Sequence, residues 1–284
     1  MNNGPEARIA FIGGGNMARA LIGGLIRGGL PGTQIVVGEP DEAARRALER
    51  DFAVRTSVAN GEAVRNASLV VLAVKPQAVA AVLTKLHADW PAPPPLLLSI
   101  VAGLRCTDLA RLCRVTLPIV RAMPNRPALV GAGVTGLYAA GSITPAQRLL
   151  AERVAGAAGR FIWLRAEAEI DIVTALSGSG PAYFFLLAEQ LARAAAELGL
   201  ERSTAQLLAT ETLYGSGVLA RDGASLAEQR AAVTSPGGTT QAALEHLEAG
   251  GFAALIGGAL RAAATRSAEL AGIAAAGPKP PGNV

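Results

Sequence analysis

The segment Arg8-Ile-Ala-Phe-Ile-Gly-Gly-Gly-Asn-Met-Ala18 decides the fold class of this chain. Residues 8–12 are an apolar run typical of a short buried strand, and a helix is predicted from the glycines to about residue 27. Gly13, Gly15 and Ala18 fit the spacing G-x-G-x-x-G/A. In that pattern the first glycine makes a tight turn, the second lets a pyrophosphate approach the backbone, and the third position packs helix on strand. The segment therefore predicts a dinucleotide-binding turn.

Strand and helix signals then alternate through the first half of the chain. Further strands are predicted at residues 35–37, near 54, at 68–74, 96–101, 116–123, 134–139 and 161–164, with helices at 41–50, 77–87, 107–112 and 145–158. The run at 68–74 is apolar throughout, as in a parallel strand buried on both faces. This alternation predicts a doubly wound α/β sheet with its ligand at the carboxyl ends of the strands.

From about residue 168 the pattern is helical almost throughout, with helices predicted at 203–220, 226–233, 241–248 and 251–273. We therefore expect an N-terminal Rossmann-type dinucleotide-binding domain over residues 1–166, a helical domain over 167–274, and a disordered tail over 275–284. The first helix of the second domain contains Leu176-Ser-Gly-Ser-Gly-Pro-Ala182. Glycine and proline disfavour a helix interior, so this segment is either a real break or a place where another backbone packs closely.

Composition excludes several functional classes. The chain has 284 residues, 51% of them hydrophobic, with a formal charge of +4 and only 4% aromatic residues. Scattered arginines without interleaved aromatics make nucleic acid an unexpected partner. Cys106 and Cys113 are predicted to be buried packing thiols, and no cysteine–histidine cluster predicts a metal. No signal peptide and no uncharged apolar run of 18 residues are found, so we expect a cytoplasmic protein that does not enter the membrane.

An acidic residue ends the second predicted strand. Glu39 lies some 20 residues beyond the glycines, where an acid would bind a ribose 2′-hydroxyl. The alternative is an ordinary solvated loop acid. Arg45 and Arg46 follow on the next helix and could bind a 2′-phosphate instead, or be solvated helix charges.

A second candidate binding segment is Val233-Thr-Ser-Pro-Gly-Gly-Thr-Thr-Gln-Ala-Ala-Leu244. It predicts a tight turn at Pro236-Gly-Gly238 followed by a helix whose cap is Thr239 or Thr240. The free backbone N–H groups and the positive dipole end of such a helix suit a small carboxylate. The alternative is a simple capped helix start.

The scarcity of lysine and histidine limits the reactions that this chain could catalyse. No lysine occurs between Lys85 and Lys279, and the two histidines, His87 and His246, lie in no motif. A hydroxy-acid dehydrogenase normally needs a lysine or histidine to accept the alcohol proton. A reductase of a C=N bond does not, because a protonated imine already carries the charge that accepts hydride.

Five blocks together resemble the pyrroline-5-carboxylate reductase family, in family order across residues 8–270. They are Ile9-Ala-Phe-Ile-Gly-Gly-Gly-Asn-Met-Ala18, Ala73-Val-Lys-Pro76, Arg121-Ala-Met-Pro-Asn125, Asp171-Ile-Val-Thr-Ala-Leu-Ser-Gly-Ser-Gly-Pro-Ala-Tyr183 and Val233-Thr-Ser-Pro-Gly-Gly-Thr-Thr240. The last two are much more specific than the dinucleotide glycines. The resemblance implies reduction of 1-pyrroline-5-carboxylate to L-proline with NADPH or NADH, the last step of proline biosynthesis. It also implies an all-helical dimerisation domain, a homodimer, and a decamer built from dimers.

The resemblance also implies roles for individual residues. Cofactor contacts are expected from Ile12, Gly13, Gly14, Gly15, Asn16, Met17, Asn60, Ala73, Val74, Lys75, Pro76, Ala102 and Gly103, with Asn60 at a turn. Substrate contacts are expected from Glu167, Ser235, Gly238, Thr239 and Thr240. Thr240 is the catalytic candidate, because the family places its hydroxyl on the ring nitrogen.

Two departures from the family pattern affect the surroundings of the nicotinamide: Arg126 replaces a usual threonine, and Ala232 replaces a polar residue of some members. Two alternatives stay open, a non-catalytic dinucleotide-binding regulatory protein and a reductase of a different cyclic imine. The cofactor preference is also open. Glu39 would repel a 2′-phosphate and favours NADH, whereas the family often uses NADPH.

Overall fold

The fold is taken from a computed structural model, which describes residues 7–276 and their side chains as far as residue 271. It contains two compact units. The first comprises the chain up to residue 178 together with the part from residue 263 onward, and the second comprises residues 179–262. The predicted boundary between residues 166 and 167 stays a prediction. Residues 275 and 276 of the predicted tail still belong to the last helix, and the rest of that tail, 277–284, lies outside the described residues.

The first unit is built on one eight-stranded sheet. Its strands are β1 (Ile9–Ile12), β2 (Ile35–Gly38), β3 (Arg55–Ser57), β4 (Leu69–Leu72), β5 (Leu96–Ser99), β6 (Ile119–Met123), β7 (Gly133–Ala139) and β8 (Gly159–Trp163). They lie in the order β3-β2-β1-β4-β5-β6-β7-β8. Strands β1 to β6 are parallel to one another, β7 is antiparallel to β6, and β8 is parallel to β7. The order reverses between β1 and β4, which is the switch point where such sheets bind ligands.

Helices connect these strands. They are α1 (Asn16–Arg27), α2 (Glu42–Phe52), α3 (Asn60–Val64), α4 (Pro76–Leu86), α5 (Cys106–Cys113), α6 (Pro145–Gly156) and α7 (Glu169–Val173). Asn60 begins α3, so its predicted place in a turn is wrong. The reason is local: the Ser57 hydroxyl donates to Glu62 at 2.6 Å and accepts from the Ala59 N–H at 3.0 Å, which stabilises the first helical turn.

Both faces of the sheet are buried. Ile9 and Phe11 of β1 pack in one apolar cluster with residues of α1 and α6, while Ala10 and Ile12 pack in a second cluster with residues of α3, α4 and α5. Because successive strand side chains alternate between faces, a strand buried on both sides must be apolar throughout. The first apolar segment of the chain is therefore the centre of the core.

The second unit is helical. It contains α8 (Gly180–Glu197), α9 (Arg202–Leu219), α10 (Leu226–Ala232), α11 (Thr239–Ala249) and the beginning of α12 (Phe252–Ala276). Between α7 and α8 the chain forms a π-helical turn, Thr174–Gly178. The glycine- and proline-rich segment is thus a real irregularity, at which the Ser177 hydroxyl donates to the Val173 carbonyl at 2.9 Å.

Little of the second unit is buried within one chain. Among residues 179–262 only Gly180 and Ala205 are buried. The four consecutive residues Phe184 to Leu187 of α8 are 60%, 59%, 56% and 44% exposed. Successive helix residues are about 100° apart, so four of them cover most of the circumference. A helix segment that is apolar on all sides is typical of an interior, so residues 184–187 are expected to be covered by another protein surface.

Length and hydropathy alone would allow the segment Glu169–Glu197 to span a membrane, with a mean hydropathy of 1.4 over 18 residues. The pair Thr239–Ala249 and Phe252–Ala271, bent by 57°, passes the same criterion only if counted as one span. One or two such helices are weak evidence for a membrane, because helices covered by protein have the same composition.

Candidate active site

The glycine turn after β1 is held against the ends of two neighbouring strands. Gly13 has a φ of +98°, and a Cβ at this position would lie 2.8 Å from the Ala73 carbonyl oxygen. The Gly13 N–H donates to the Gly38 carbonyl at 2.8 Å, and the Ala73 N–H donates to the Ile12 carbonyl at 2.9 Å. Only glycine tolerates both this φ and this approach, so the turn has a fixed position at the switch point.

The start of α1 is open. Gly15 is its N-cap, no side chain caps the helix there, and a Cβ on Gly15 would meet no atom within 4 Å. Gly15 and Asn16 are exposed, whereas Ile12 to Gly14 are buried. Uncapped N–H groups facing free space are the ordinary cradle for a phosphate. The residues present therefore fit a dinucleotide.

Glu39 is bound to this turn. One of its carboxylate oxygens accepts the Gly14 N–H at 2.8 Å, and the other accepts the Asp41 N–H at 3.1 Å. The Arg45 guanidinium donates to the carbonyls of Glu39 and Pro40 at 2.9 and 2.8 Å. Glu39 is thus not a freely solvated loop acid; its contact with ribose stays a prediction.

Asn60 contributes a polar atom without a partner. Its Oδ1 is buried and accepts no hydrogen bond from any described residue. It lies beside the end of β2, since a Cβ added to Gly38 would be 2.3 Å from it. A buried carbonyl oxygen without a donor is costly, so a donor from a ligand at this edge of the sheet would satisfy it.

The other predicted cofactor residues lie at the same edge. Ala73 to Pro76 connect β4 to α4, where Lys75 is the N-cap and is exposed. After β5, Ala102 is exposed, but Gly103 is buried with a φ of +75°. A Cβ on Gly103 would be 3.3 Å from the Leu270 carbonyl of α12, so the left-handed φ and the packing of this helix account for the glycine without a ligand.

A buried ion pair lies farther along the sheet. The Arg121 side chain, 5% exposed, donates to Glu167 Oε1 at 2.9 Å, and the Cys106 N–H donates to the same oxygen at 2.7 Å. Burial opposes ionisation of Glu167, but these two donors together outweigh it and lower the pKa of the carboxyl. Glu167 therefore connects β6 to the start of α5 through these two hydrogen bonds. Its predicted contact with the substrate stays a prediction.

Three more hydrogen bonds reinforce this region. The Asn125 amide donates to the Ser177 carbonyl at 3.1 Å and accepts the Val134 N–H at 2.9 Å. The Ser267 hydroxyl of α12 donates to Asp171 at 2.7 Å. The sequence predicts no role for Arg121 or Asn125. For Arg121 a signal was present, because a charged residue inside an otherwise apolar strand indicates a buried ion pair.

The predicted carboxylate-binding helix start is α11 of the second unit. Its N-cap is Gly238, and no side chain caps it, so the predicted cap at Thr239 or Thr240 is wrong. The two threonines are the first two helical residues, because the turn closes one residue earlier: the Gly238 N–H donates to the Ser235 carbonyl at 3.0 Å. Gln241 accepts the Gly237 N–H at 2.7 Å. The first-turn N–H groups of α11 thus keep no side-chain acceptor.

Both cysteines are free and buried, as predicted. Burial raises the pKa of each thiol to about 12, and at Cys106 the Glu167 carboxylate adds to the effect. The thiols stay protonated at neutral pH and are packing groups rather than nucleophiles. No group of three or more His, Cys, Asp or Glu residues in the described part of the chain could hold a metal ion.

Comparison with known proteins identifies the family. Residues 167–270 match the family model described as pyrroline-5-carboxylate reductase dimerisation, and residues 8–103 match the model described as NADP oxidoreductase, coenzyme F420-dependent. The chain is 47% identical over 265 residues to the pyrroline-5-carboxylate reductase of Pseudomonas aeruginosa, covering 93% of this chain and 97% of that protein. The chain belongs to the pyrroline-5-carboxylate reductase family.

Solved structures agree with this membership in the pyrroline-5-carboxylate reductase family. The reductase of Coxiella burnetii is 40% identical with a TM-score of 0.89, covering 93% of this chain and 98% of that one. The reductase of Plasmodium falciparum, solved with NADP bound, is 26% identical with a TM-score of 0.79, covering 94% and 98%. The predicted family, fold class, enzyme class and use of a nicotinamide dinucleotide are confirmed. The helical part is a dimerisation domain, which confirms self-association in general terms.

Proposed function

We propose that this chain reduces 1-pyrroline-5-carboxylate to L-proline, the last step of proline biosynthesis, with Thr240 as the hydroxyl on the ring nitrogen. A bound NADH or NADPH supplies the hydride that adds to the imine carbon. The glycine turn and the open start of α1 bind the dinucleotide, with Asn60, residues 73–76 and Ala102 as further contacts. The single observation that carries the proposal is the uncapped start of α11, directly followed by two threonines.

The start of α11 suits this substrate chemically. Its uncapped N–H groups and helix dipole favour the substrate carboxylate, with the Thr239 hydroxyl, Ser235 and Gly238 beside it. The Thr240 hydroxyl can accept from the protonated imine nitrogen or donate to the product amine. Since the imine is already cationic, the protein needs to orient the ring rather than transfer a proton through lysine or histidine.

The direct experiment is a spectrophotometric assay of cofactor oxidation with 1-pyrroline-5-carboxylate, run in parallel with NADH and NADPH. Turnover with either cofactor supports the proposal. A folded protein that binds cofactor but turns over neither would favour the regulatory alternative. Turnover only with other ring imines would favour a reductase of a different cyclic imine.

Replacement of Thr240 with alanine is expected to lower kcat/KM, because the hydrogen bond to the ring nitrogen is lost. The expected loss of transition-state stabilisation is about 1–3 kcal/mol. Thr240→Ser keeps the hydroxyl and should retain most activity. The matched control is Thr234→Ala, because the Thr234 hydroxyl already donates to the Arg230 carbonyl at 2.7 Å in the same loop region. Equal kcat/KM in Thr240→Ala and the wild type would remove Thr240 from the proposed role.

We infer a homodimer in the cytoplasm, with a decamer built from dimers as the larger assembly, acting on a small molecule without nucleic acid or membrane. The support for association is the start of α8, where residues 184–187 are apolar on all sides and exposed in a single chain. Replacing Phe185 and Leu191 of α8 with glutamate should shift the mass measured by light scattering toward the monomer. The same substitution at the exposed Leu149 of the first unit is the control. A monomeric wild type would contradict the inference.

A further inference from the structure

The segment after β2 concentrates negative charge at the dinucleotide edge of the sheet. Glu39, Asp41 and Glu42 provide three carboxylates within four residues. Glu39 has a fixed place, because its two oxygens accept the N–H groups of Gly14 and Asp41 at 2.8 and 3.1 Å. Its charge therefore lies directly beside the turn that precedes the phosphate cradle.

The nearby cations are already engaged. Arg45 donates to the carbonyl oxygens of Glu39 and Pro40, which folds its guanidinium back on the loop. Arg46 is paired with Glu42 one turn earlier on α2. The two arginines that a 2′-phosphate would need are thus used within the loop and the helix.

A buried polar atom without a partner lies at the same corner of the sheet. The buried Asn60 Oδ1, without a donor among the described residues, lies beside Gly38, the residue before Glu39. A ribose carrying free 2′- and 3′-hydroxyls offers donors to carboxylate and amide oxygens. A 2′-phosphate offers only acceptors and up to about two negative charges near neutral pH.

Resting on the proposed function, we propose that this chain is selective for NADH over NADPH and that Glu39 is the residue that determines the selectivity. The Glu39 carboxylate accepts from the ribose diol and repels a 2′-phosphate, while Arg45 is engaged with loop carbonyls and Arg46 is paired with Glu42. A carboxylate in contact with the ribose would face the 2′-phosphate directly, and we expect this repulsion to weaken NADP⁺ binding by roughly tenfold or more.

The first test measures binding without substrate, by calorimetric titration of the whole protein with NAD⁺ and NADP⁺. Wild type should bind NAD⁺ at least about tenfold more tightly. Glu39→Gln removes the charge but keeps an oxygen for the Gly14 N–H, and should lose most of that ratio through tighter NADP⁺ binding. The control Glu49→Gln removes the same charge farther along α2 and should leave the ratio unchanged. Equal affinities in wild type, or an unchanged ratio in Glu39→Gln, would overturn the proposal.

A second test needs no variant. Raising the salt concentration screens repulsion between Glu39 and the 2′-phosphate, so the ratio of NAD⁺ to NADP⁺ affinity should fall. If arginines bound the phosphate instead, salt would weaken NADP⁺ binding and the ratio would rise. These affinities are independent of turnover. Rapid pyrroline-5-carboxylate reduction with equal affinities would refute the selectivity alone, whereas NAD⁺ selectivity without turnover would refute the proposed function alone.

Discussion

Arg121→Ala is expected to lower the free energy of unfolding by about 3–5 kcal/mol, because it leaves the Glu167 carboxylate in a mostly buried site without its cation. The pair is close, at 2.9 Å, and the Arg121 side chain is only 5% exposed. The Cys106 N–H remains as a donor to Glu167, which keeps the expected loss toward the lower end of that range. Urea unfolding of both proteins at neutral pH measures the difference.

The matched control is Arg266→Ala. Arg266 pairs with Glu269 at a similar distance, 2.8 Å, but its side chain is 59% exposed. An exposed pair of this kind contributes at most about 1 kcal/mol. Similar losses in the two variants would show that burial of the Arg121–Glu167 pair has no special energetic importance.

The same pair has a predictable pH dependence. The pKa of Glu167 is lowered in the folded state from the ordinary value of 4.5, so the ion pair stabilises the fold fully above that pH. The contribution is lost as the pH falls through the lower, folded-state pKa. The stability deficit of Arg121→Ala should therefore be largest near neutral pH and should narrow in acid. A deficit that stays constant would contradict the assignment of the charge to Glu167.

Gly13→Ala is expected to cost about 2–5 kcal/mol of stability and to weaken dinucleotide binding. The left-handed φ of +98° strains any other residue by about 1–2 kcal/mol. The 2.8 Å approach of the new Cβ to the Ala73 carbonyl adds about 1–3 kcal/mol of overpacking. Relief of that contact must move the turn away from β4, and the cradle at the start of α1 would move with it.

Gly15→Ala separates binding from stability. Its methyl group would contact no protein atom within 4 Å, so the loss of stability should stay below about 1 kcal/mol. In the proposed dinucleotide site the same methyl group would occupy the space that the pyrophosphate enters, and affinity for NAD⁺ should fall roughly tenfold or more. Gly29→Ala is the control, because Gly29 has a φ of +88° and no neighbour within 4 Å. This variant should strain the backbone but leave the affinity for NAD⁺ unchanged. Undiminished binding by Gly15→Ala would place the dinucleotide elsewhere.

Local sequence signals predicted the elements of the first unit well, because each apolar strand and its flanking glycine, proline or cap lie within a few residues of one another. The start of α6 is an example: the helix predicted from residue 145 begins at Pro145, directly after the cap Thr144, whose hydroxyl accepts the Gln147 N–H at 3.2 Å. The family was also legible, because the Ser-Pro-Gly-Gly-Thr-Thr and Ser-Gly-Ser-Gly-Pro blocks are long and specific.

Contacts between distant segments were not predictable. Arg121 and Glu167 are 46 residues apart, and no local period connects them. The cap of α11 was misplaced because Gly238 and the threonines are all acceptable caps locally, and a hydrogen bond from the Gly238 N–H to Ser235 decides between them. The position of the Glu39 carboxylate likewise depends on a distant segment, because it accepts a hydrogen bond from the Gly14 N–H, 25 residues away.

Because the apolar start of α8 is exposed in a single chain, folding of the helical unit is expected to depend on protein concentration. Residues that bury almost nothing within one chain can be removed from water only when a second chain is present, so ordering of the helical unit and association share one equilibrium. We therefore expect the melting temperature of the helical unit to rise with protein concentration. In a cell, the folded fraction of this unit would then increase with the amount of the chain that is made.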